Sequence, residues 1–565
     1  MNPAQLLSHF DRISEATNAI PRLRRFIFNL AVRGKLVEQD PRDEPASELL
    51  KRIQGEKTRL LKEGKIKGLK SLAITDTAKE IYKIPSSWKL VPLGETVNSH
   101  LGGGTPSKNN STYWEGDILW ASVKDVGKGR YIDETIDRIT EAGLADSSSN
   151  LIPPGSLIVV TRMGLGKVSI NRVPIAINQD LRALSLSSLV SIDYHYIFFK
   201  THGFEGTGLT VKGIKVEELL NIAFPLPPLA EQHRIVAKVD ELMALCDRLE
   251  AAQAERESRR DRLAAASLYR LNNGADADAF RDHARFFFNH LPRLTTRTEH
   301  IQQVRQTILN LAVRGKLVPQ APNDEPADNT LIEISSRDGG DTNGEGKLKT
   351  AFTRVPDEET PFRIPYGWTW TRIGCLCNMI SGKGFKADEY SKSGARLFQI
   401  ANVSFGKTKW ETLNYLPISY NVTYPELVLN VGDLVMALNR PLLNRQMKAA
   451  IIGEKDLPAI LYQRVGKFLF YSSCVLPEYF FRYLQSLLFI EQLEQNLQGS
   501  DQPFINKSDT VQFLIPLPPL TEQQCIVAKV DELLALCDRL EGELTITQTE
   551  SRRLLEATLY HALSA

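Results

Sequence analysis

The sequence predicts an α+β protein in which two globular domains are joined by two long antiparallel coiled-coil helices, with a pseudo-twofold internal duplication. The segment at 225–250 recurs at 516–541 with four differences among 26 aligned positions. NLAVRGKLV occurs at 29–37 and again at 310–318. The stretches between these repeats share almost no sequence, so the flanks are duplicated and the interiors are not.

The bulk composition is ordinary for a globular protein. Hydrophobic residues make up 42% and charged residues 24% of the 565 residues. The sequence contains no apolar run of about 18 residues, and six cysteines do not indicate a disulfide framework in so long a chain. We therefore expect a reduced, cytoplasmic protein. The net charge of +2 means that any nucleic-acid contact must be a local patch.

Each copy opens with a short helix. The stretch ending in NLAVRGKLV carries apolar side chains at helical spacing, and Gly34 and Gly315 fit a helix C-terminus with a basic residue on either side. We assign residues 1–45 to an N-terminal helical region and residues 300–330 to a repeated helical segment. The polar connector that follows each of them is expected to be flexible or frayed.

The next region of each copy, 85–225 and 365–516, is expected to be an α+β domain with a curved sheet and long loops. Short apolar runs separated by Gly, Pro and Asn indicate strands. These runs are Leu157–Val160, Ile197–Phe199, Leu427–Leu429 and Leu434–Ala437. We call the two regions the first and the second head.

Each copy closes with a long helix, at 226–272 and at 517–563. Prolines prevent an earlier helix start. Apolar residues at 4-3-4-3 spacing predict a coiled-coil seam, consisting of Ile235, Val239, Leu242, Cys246 and Leu249 in the first copy and of Ile526, Val530, Leu533, Cys537 and Leu540 in the second. About 40 residues at ~1.5 Å each predict a rod of roughly 60 Å. The two seams are expected to pack against each other.

The repeated PLPPLxEQxxIV segments, each after a variable domain and running into a long helix, resemble the conserved regions of type I restriction–modification specificity (S) subunits. The resemblance covers nearly the whole chain. The first head also resembles that family in LGGGTPSKNN (101–110), YWEGDILW (113–120) and NQD (178–180). The second head departs from the pattern with SGKGFKADEY (381–390) and LFQIANVSFG (398–407), so its half-site is expected to differ.

The resemblance implies two target-recognition domains that read a bipartite, asymmetric double-stranded DNA site. It implies partners, namely two methyltransferase subunits and restriction–translocase subunits, and places S-adenosylmethionine, ATP and Mg on those partners, with no cofactor bound by this chain. NLAVRGKLV and AKVDEL are candidate partner contacts, with intramolecular packing as the alternative. A two-headed DNA-binding scaffold or regulator without modification partners is the alternative function.

Candidate DNA contacts follow from side-chain chemistry, because Arg and Lys suit guanine and phosphate, Asn and Gln suit adenine, and Ser and Thr suit phosphate. In the first head the candidates are Thr105, Ser107, Lys108, Asn109, Asn110, Arg162, Lys167, Asn178, Gln179 and Lys212. In the second head they are Lys383, Lys386, Asn439, Arg440, Asn444, Arg445, Gln446, Lys448, Asn506 and Lys507. A solvated loop or turn is the alternative at each position.

The sequence contains no motif for catalysis. It lacks N-P-P-[FY] and D-P-P-[FY] for amino-methylation, a Walker A loop and H-E-x-x-H. The glycine spacing of TRMGLGK at 161–167 does not fit a Walker A loop. Cys375 and Cys377 form a lone C-x-C, which is too little for a zinc site, and no metal is expected. A non-catalytic subunit is therefore expected.

Overall fold

The computed structural model describes residues 16, 18–68, 83–202, 213–274, 277–337 and 355–564. The chain divides into two compact units. Unit 1 comprises Met1–Arg256 and Gln548–Ala565, and unit 2 comprises Glu257–Thr547. Both boundaries fall inside a long helix, so each long helix begins in one unit and ends in the other.

Unit 1 contains the first head. Its helices are α1 (Ala19–Ala31), α2 (Ala46–Lys62), α3 (Glu141–Asp146), α4 (Ile192–Thr201), α5 (Val216–Leu220) and the first part of α6 (Leu229–Asn273). Its strands are β1 (Lys89–Pro92), β2 (Val97–Gly102), β3 (Trp114–Ala121), β4 (Tyr131–Ile132), β5 (Asp137–Ile139), β6 (Leu151–Ile152), β7 (Leu157–Val160), β8 (Val168–Asn171), β9 (Ile175–Ile177), β10 (Leu181–Leu186) and β11 (Ala223–Leu226).

Unit 2 contains the second head. Its helices are the last part of α6, α7 (Ala277–Leu294), α8 (Thr298–Val313), α9 (Ala327–Arg337), α10 (Ile373–Leu376), α11 (Tyr420–Thr423), α12 (Pro477–Leu484), α13 (Leu487–Asn496), α14 (Lys507–Thr510) and most of α15 (Leu520–Ser564). Its strands are β12 (Thr369–Arg372), β13 (Cys377–Ser381), β14 (Ala395–Phe398), β15 (Tyr415–Leu416), β16 (Leu434–Ala437), β17 (Leu442–Leu443), β18 (Gln446–Met447), β19 (Ala449–Ile451), β20 (Ala459–Leu461), β21 (Val465–Phe470) and β22 (Leu514–Leu517).

The two heads share one strand topology although their sequences differ. In the first head one sheet has the order β2-β10-β7-β8-β4 and another has the order β5-β3-β9-β6. The second head repeats the first four strands and the first three strands of these orders as β13-β21-β16-β19 and β15-β14-β20. In place of β4 and β6 it has isolated bridges, Phe405 with Ala449 and Val428 with Ile460. Even the parallel pair is repeated, as β3 with β9 and β14 with β20. The expected α+β class is confirmed, and the heads are related by fold despite their divergence.

A buried hydrogen bond joins the repeated motifs where each long helix begins. Trp88 Nε1 donates to Glu231 Oε2 over 2.9 Å, and Trp368 Nε1 donates to Glu522 Oε2 over 2.8 Å. Burial raises the pKa of both carboxyl groups, while the hydrogen bonds from their neighbours lower it. IPSSW at 84–88 and IPYGW at 364–368, which we call the IPxxW motif, are therefore tied to the long helices in the same way in both copies.

The expected helix stop in NLAVRGKLV is confirmed. Gly34 and Gly315 adopt φ values of +68° and +64°, in the left-handed region. A Cβ at Gly34 would lie 2.4 Å from Pro85 Cγ, and one at Gly315 would lie 2.3 Å from Pro365 Cγ. The glycine is thus required both by the turn and by the close packing of the IPxxW motif on it.

Each seam takes part in the core of its own unit. Within unit 1, the fully buried Ile235 and Val239 belong to the same core as Ala31 of the short helix α1 and Tyr194 and Phe224 of the first head. Unit 2 repeats this arrangement with its own seam, α8 and the second head. Burial of the seam within its own unit therefore involves both the short repeated helix and the head, and the packing of the two seams against each other stays a prediction. Each long helix has 45 residues, about 70 Å in length.

Charged groups reinforce the contact between short and long helices. Arg24 Nη2 lies 2.5 Å from an Asp247 oxygen, and Arg305 Nη1 lies 2.5 Å from the equivalent Asp538. The lysine of the RGK turn acts at the other end of a long helix. Lys35 Nζ donates to the Leu563 carbonyl within unit 1 (2.9 Å). A cation at a helix C-terminus satisfies carbonyls that lack an intrahelical partner.

Lys316 repeats this contact in unit 2, where its Nζ donates to the carbonyls of Gly274 (2.9 Å) and Asn272 (3.5 Å) at the end of α6. The repeated NLAVRGKLV motif therefore has an intramolecular role in both units.

Three local assignments differ from the sequence-based expectation. The polar connectors after the repeated helices begin with the helices α2 and α9. Ile197–Phe199 lies in helix α4, not in a strand. Leu427–Leu429 follows a 3₁₀ turn and contributes only an isolated bridge from Val428 to Ile460. A short apolar run has no periodicity that separates a strand from a buried helical turn, which explains the error at 197–199.

We expect Trp88→Phe and Trp368→Phe each to lower the free energy of unfolding by about 1–3 kcal/mol, because each leaves a buried carboxylate without its indole donor. Urea denaturation followed by circular dichroism would measure the loss. Tyr366→Phe, at a side chain that is 93% exposed, is the control and should change nothing. A loss as small as that of the control would show that the indole nitrogen contributes little.

Candidate nucleic-acid interface

The loop after β2 in the first head is held against the turn between β9 and β10. A Cβ at Gly103 would lie 1.8 Å from the Ile177 carbonyl oxygen, and Gly104 N donates to the same oxygen over 3.0 Å. Thr105 Oγ1 then donates to Gln179 Oε1. Two candidate segments far apart in sequence therefore meet at one edge of the head.

Asp180 joins this turn to the β7–β8 hairpin. Asn178 is buried, its Nδ2 donates to Asp180 Oδ2 (3.3 Å), and its Oδ1 accepts from Asp180 N (3.1 Å). Arg162 Nε lies 3.8 Å from Asp180 Oδ1. The amide of Asn178 is therefore used within the turn, whereas the neighbouring Gln179 and Arg162 are exposed.

The other candidates of the first head differ in accessibility. Asn110 Oδ1 accepts from Thr112 N over 3.1 Å, so this side chain caps a 3₁₀ turn. Lys212 lies outside the described residues. The side chains left exposed in the loop and hairpin are Ser107, Lys108, Asn109 and Lys167.

In the second head the equivalent loop begins at Gly382, where a Cβ would lie 2.2 Å from the Leu461 carbonyl oxygen. Lys383 follows, and its Nζ donates to Tyr424 Oη over 2.6 Å and lies 5.7 Å from the Phe385 ring centroid. This hydrogen bond raises the pKa of Lys383. The ammonium group is thus held in one place by aromatic side chains. Lys386 is exposed in the same loop.

The donor-rich segment ALNRPLLNRQMK forms the hairpin β17–β18. Asn444 and Arg445 occupy its turn with φ values of 50° and 57°, as a two-residue hairpin of primed type requires. Arg445 Nη2 lies 3.0 Å from Glu494 Oε2, so its charge is paired within the head. Gln446 is exposed and Lys448 is half-buried.

The start of this segment lies beside the loop that precedes α14. Asn439 pairs with Phe504 in an antiparallel bridge, and Arg440 N donates to the Pro503 carbonyl over 2.7 Å. These pairings bring the segment next to two further candidates, Asn506 and Lys507.

Both heads build the same edge. Arg162 bridges Gly213 in the first head, as Asn439 bridges Phe504 in the second. The backbone hydrogen bonds beside the two bridges also correspond, from Ile214 N to Thr161 O and from Ile505 N to Leu438 O. Some of the candidates that the sequence placed in separate loops are therefore brought together at one equivalent edge of each head, namely Thr105, Arg162 and Gln179 in the first and Asn439, Arg440 and Asn506 in the second.

Two arginines at this edge are missing from the sequence-based set. Arg464 is exposed with φ 65°, in the turn between β20 and β21, and its carbonyl accepts from Leu438 N over 2.9 Å. Arg182 is half-buried on β10. The Gln-Arg pair at 463–464 offered a signal, since it separates two apolar runs. Arg182 lies in a strand whose neighbouring residues are mostly apolar, so the sequence pattern gives no indication that its side chain is accessible.

Comparison with known proteins shows the family to which the chain belongs. The family profile described as Type I restriction modification DNA specificity domain matches residues 85–256 and 365–547, more than half of the chain. The chain belongs to the family of type I restriction–modification specificity subunits. Both family matches begin where the sequence places the starts of the heads.

The relatives cover nearly the full length. The chain is 33% identical over 563 residues to the type I restriction enzyme EcoAI specificity subunit of Escherichia coli, covering 95% of this chain and 93% of the relative. It is 27% identical over 574 residues to the EcoEI specificity subunit of the same organism, covering 96% and 94%. A crystal structure of the HsdS subunit from Thermoanaerobacter tengcongensis is 18% identical, with a TM-score of 0.43, covering 85% of this chain and 98% of that one.

The described part of the chain contains neither a membrane-spanning helix nor a metal-binding cluster. No helix there has the length and apolar character needed to cross a membrane. No group of three or more His, Cys, Asp or Glu side chains in the same residues is arranged to hold a metal ion. All six cysteines are described and none forms a disulfide.

We expect Gly103→Ala and Gly382→Ala each to destabilise the head that contains the substitution by about 1–3 kcal/mol, because the new methyl group overlaps a backbone carbonyl that cannot move alone. Thermal unfolding and limited proteolysis of the loop would detect the change. Gly129→Ala is the control, since a Cβ there meets nothing within 4 Å. Equal stability of all three variants would contradict the close approach.

Proposed function

We propose that this chain is the DNA sequence-recognition subunit of a type I restriction–modification complex and that its two heads read the two halves of a bipartite, asymmetric site. The observation that carries the proposal is the repeated edge. Both heads place polar loops at the same position of the same topology, but with different side chains. One topology with two sets of donors suits the reading of two different sequences.

The chemistry at the two edges differs in the way that base reading requires. The first head offers Gln179 and Arg162, while the second offers Lys383, Arg440 and Arg464. Amide side chains pair with adenine, and guanidinium groups pair with guanine or phosphate. The two edges therefore present different sets of donors, and the half-site of the second head is expected to differ from that of the first.

The outer face of the long helices supports two equivalent docking sites for methyltransferase subunits. Leu245 and Leu536 remain 43% and 38% exposed although they are large and apolar. The exposed face around them is identical in both copies, comprising Ala237, Glu241, Ala244 and Arg248 in α6 and Ala528, Glu532, Ala535 and Arg539 in α15. Identical exposed faces suit two copies of one partner.

Of the two motifs considered as partner contacts, the helix face beginning in AKVDEL is favoured over NLAVRGKLV. Ala31 and Val32 of NLAVRGKLV are buried, and Lys35 binds the end of α15. In the proposed complex this chain is non-catalytic. Methyltransferase subunits supply S-adenosylmethionine chemistry, and restriction–translocase subunits use ATP and Mg.

The proposal predicts that cells producing this chain with a cognate methyltransferase subunit carry one methylated, bipartite and asymmetric motif, which is absent without this chain. Methylome sequencing measures it. Replacing residues 101–222 with the corresponding part of another family member should change one half of the motif and leave the other half unchanged. A soluble complex without a new motif would favour a DNA-binding scaffold, and a change in both halves would contradict independent heads.

We expect Leu245→Glu and Leu536→Glu each to weaken the binding of one methyltransferase subunit and the double variant to weaken both, because a charge would be buried in each contact. Native mass spectrometry of the purified complex measures the stoichiometry. Ala265→Glu, at an exposed position elsewhere on α6, is the control. A full complement of partners on the double variant would exclude this face as the docking site.

A further inference from the structure

Arg182 is a half-buried cation without an acidic partner in the first head. It lies on β10, and the described residues contain no ion pair to its guanidinium group. Burial lowers its pKa, and no neighbouring charge opposes that effect. A cation that is partly removed from water is normally paired, so an unpaired one calls for an explanation outside the fold.

The guanidinium group lies across the neighbouring strand. Arg182 pairs in register with Gly102 of β2, so their side-chain positions share one face of the sheet. A Cβ at Gly102 would lie 2.6 Å from Arg182 Nη1 and 3.1 Å from its Cζ. Glycine at this position therefore provides the space that the guanidinium group occupies.

A second polar atom close to Arg182 is also unpaired. Arg182 Nε and His100 Nδ1 are both buried without a hydrogen-bond partner among the described residues. His100 lies on β2 two residues before Gly102, where burial and the charge of Arg182 both lower its pKa. Buried polar groups in folded proteins are nearly always paired. These two atoms are therefore left available to a ligand.

This group lies at the base of the candidate interface. Gly102 is followed directly by the loop that carries Thr105, and Arg182 comes three residues after Gln179.

The second head lacks the feature, because Gly466 stands at the corresponding position of β21, opposite Ser381. The site is therefore specific to the first head, and the second head serves as an internal reference.

We propose that Arg182 is a DNA-contacting residue of the first head and that it binds a pair of acceptor atoms on the DNA. A guanidinium group presents two parallel N–H donors, which match guanine O6 and N7 or two phosphate oxygens. His100 lies on the neighbouring strand as a further polar partner. This inference rests on the proposed DNA-recognition function and adds a contact that the loop residues do not provide.

The test uses the complex of the full chain with its methyltransferase subunit, and duplexes that carry the motif found by methylome sequencing. Arg182→Met removes the charge, Arg182→Lys keeps the charge without the paired donors, and Gly102→Ala keeps the arginine but displaces its guanidinium group. Lys89→Met, at an exposed residue on β1, is the control. Circular dichroism melting shows whether each variant is folded.

Binding is measured by fluorescence anisotropy over a range of salt concentrations. If Arg182 reads guanine, Arg182→Met and Gly102→Ala should weaken binding about ten- to a hundredfold on the cognate duplex and relax the motif at one position of the first half-site. If it binds phosphate, the loss should be similar on every duplex and the log–log salt slope should fall by about one. The second half-site should be unaffected in the guanine case.

Arg182→Lys separates the two sources of the acceptor pair, because a lysine retains most phosphate binding but loses the bidentate contact to guanine. Folded Arg182→Met and Gly102→Ala variants with wild-type affinity and an unchanged motif would overturn the role of Arg182 alone. A wild-type complex that prefers no duplex would instead overturn the proposed function, and the role of Arg182 with it.

Discussion

A buried glutamate at the start of each long helix holds together the parts of the chain that are duplicated. In unit 1, Glu231 accepts from the Trp88 indole and also from Gln39, which follows the NLAVRGKLV turn. Glu522 accepts from Trp368 and Gln320 in the same way. A buried carboxylate is costly unless its oxygens are paired. The repeated helix, the IPxxW motif and the PLPPLxEQ motif are therefore mutually dependent.

This constraint lets the heads vary while their attachment stays constant. Each head is closed by a strand pair and is further held by one tyrosine, Tyr194 or Tyr479, whose hydroxyl donates to the Pro225 or Pro516 carbonyl (2.9 and 2.7 Å). A glutamine that is repeated in the long helices accepts from the backbone N–H just before the helix that carries this tyrosine. Gln232 accepts from Ser191 N, and Gln523 accepts from Leu476 N. These few contacts require one topology but leave the loops at the opposite edge free to differ, which suits a protein family that changes its target sequence.

Within the heads, the polar side chains divide into those that build the loops and those that remain available. Asn110 and Asn178 satisfy backbone groups of their own turns, and Arg445 is paired with Glu494. Gln179 is exposed beside them, and Arg182 carries a half-buried charge with no acid. The side chains that remain available, Gln179 and Arg182, keep hydrogen-bond donors that a ligand can use. The distinction depends on hydrogen-bond partners, not on residue type.

The sequence by itself determined the duplication, the α+β class, the long helices, the glycine turn and the family. Each of these produces a pattern that can be recognised along the chain, either a periodic spacing of apolar residues or a repeated motif. The sequence did not determine which residues of its own unit pack with each seam, namely those of the short helix and of the head, since apolar spacing shows that a helix face is buried but not what covers it. Nor did it reveal that Ile197–Phe199 is helical or that Arg182 lies over Gly102. These features depend on strand register and on contacts between distant residues, which only the tertiary structure decided.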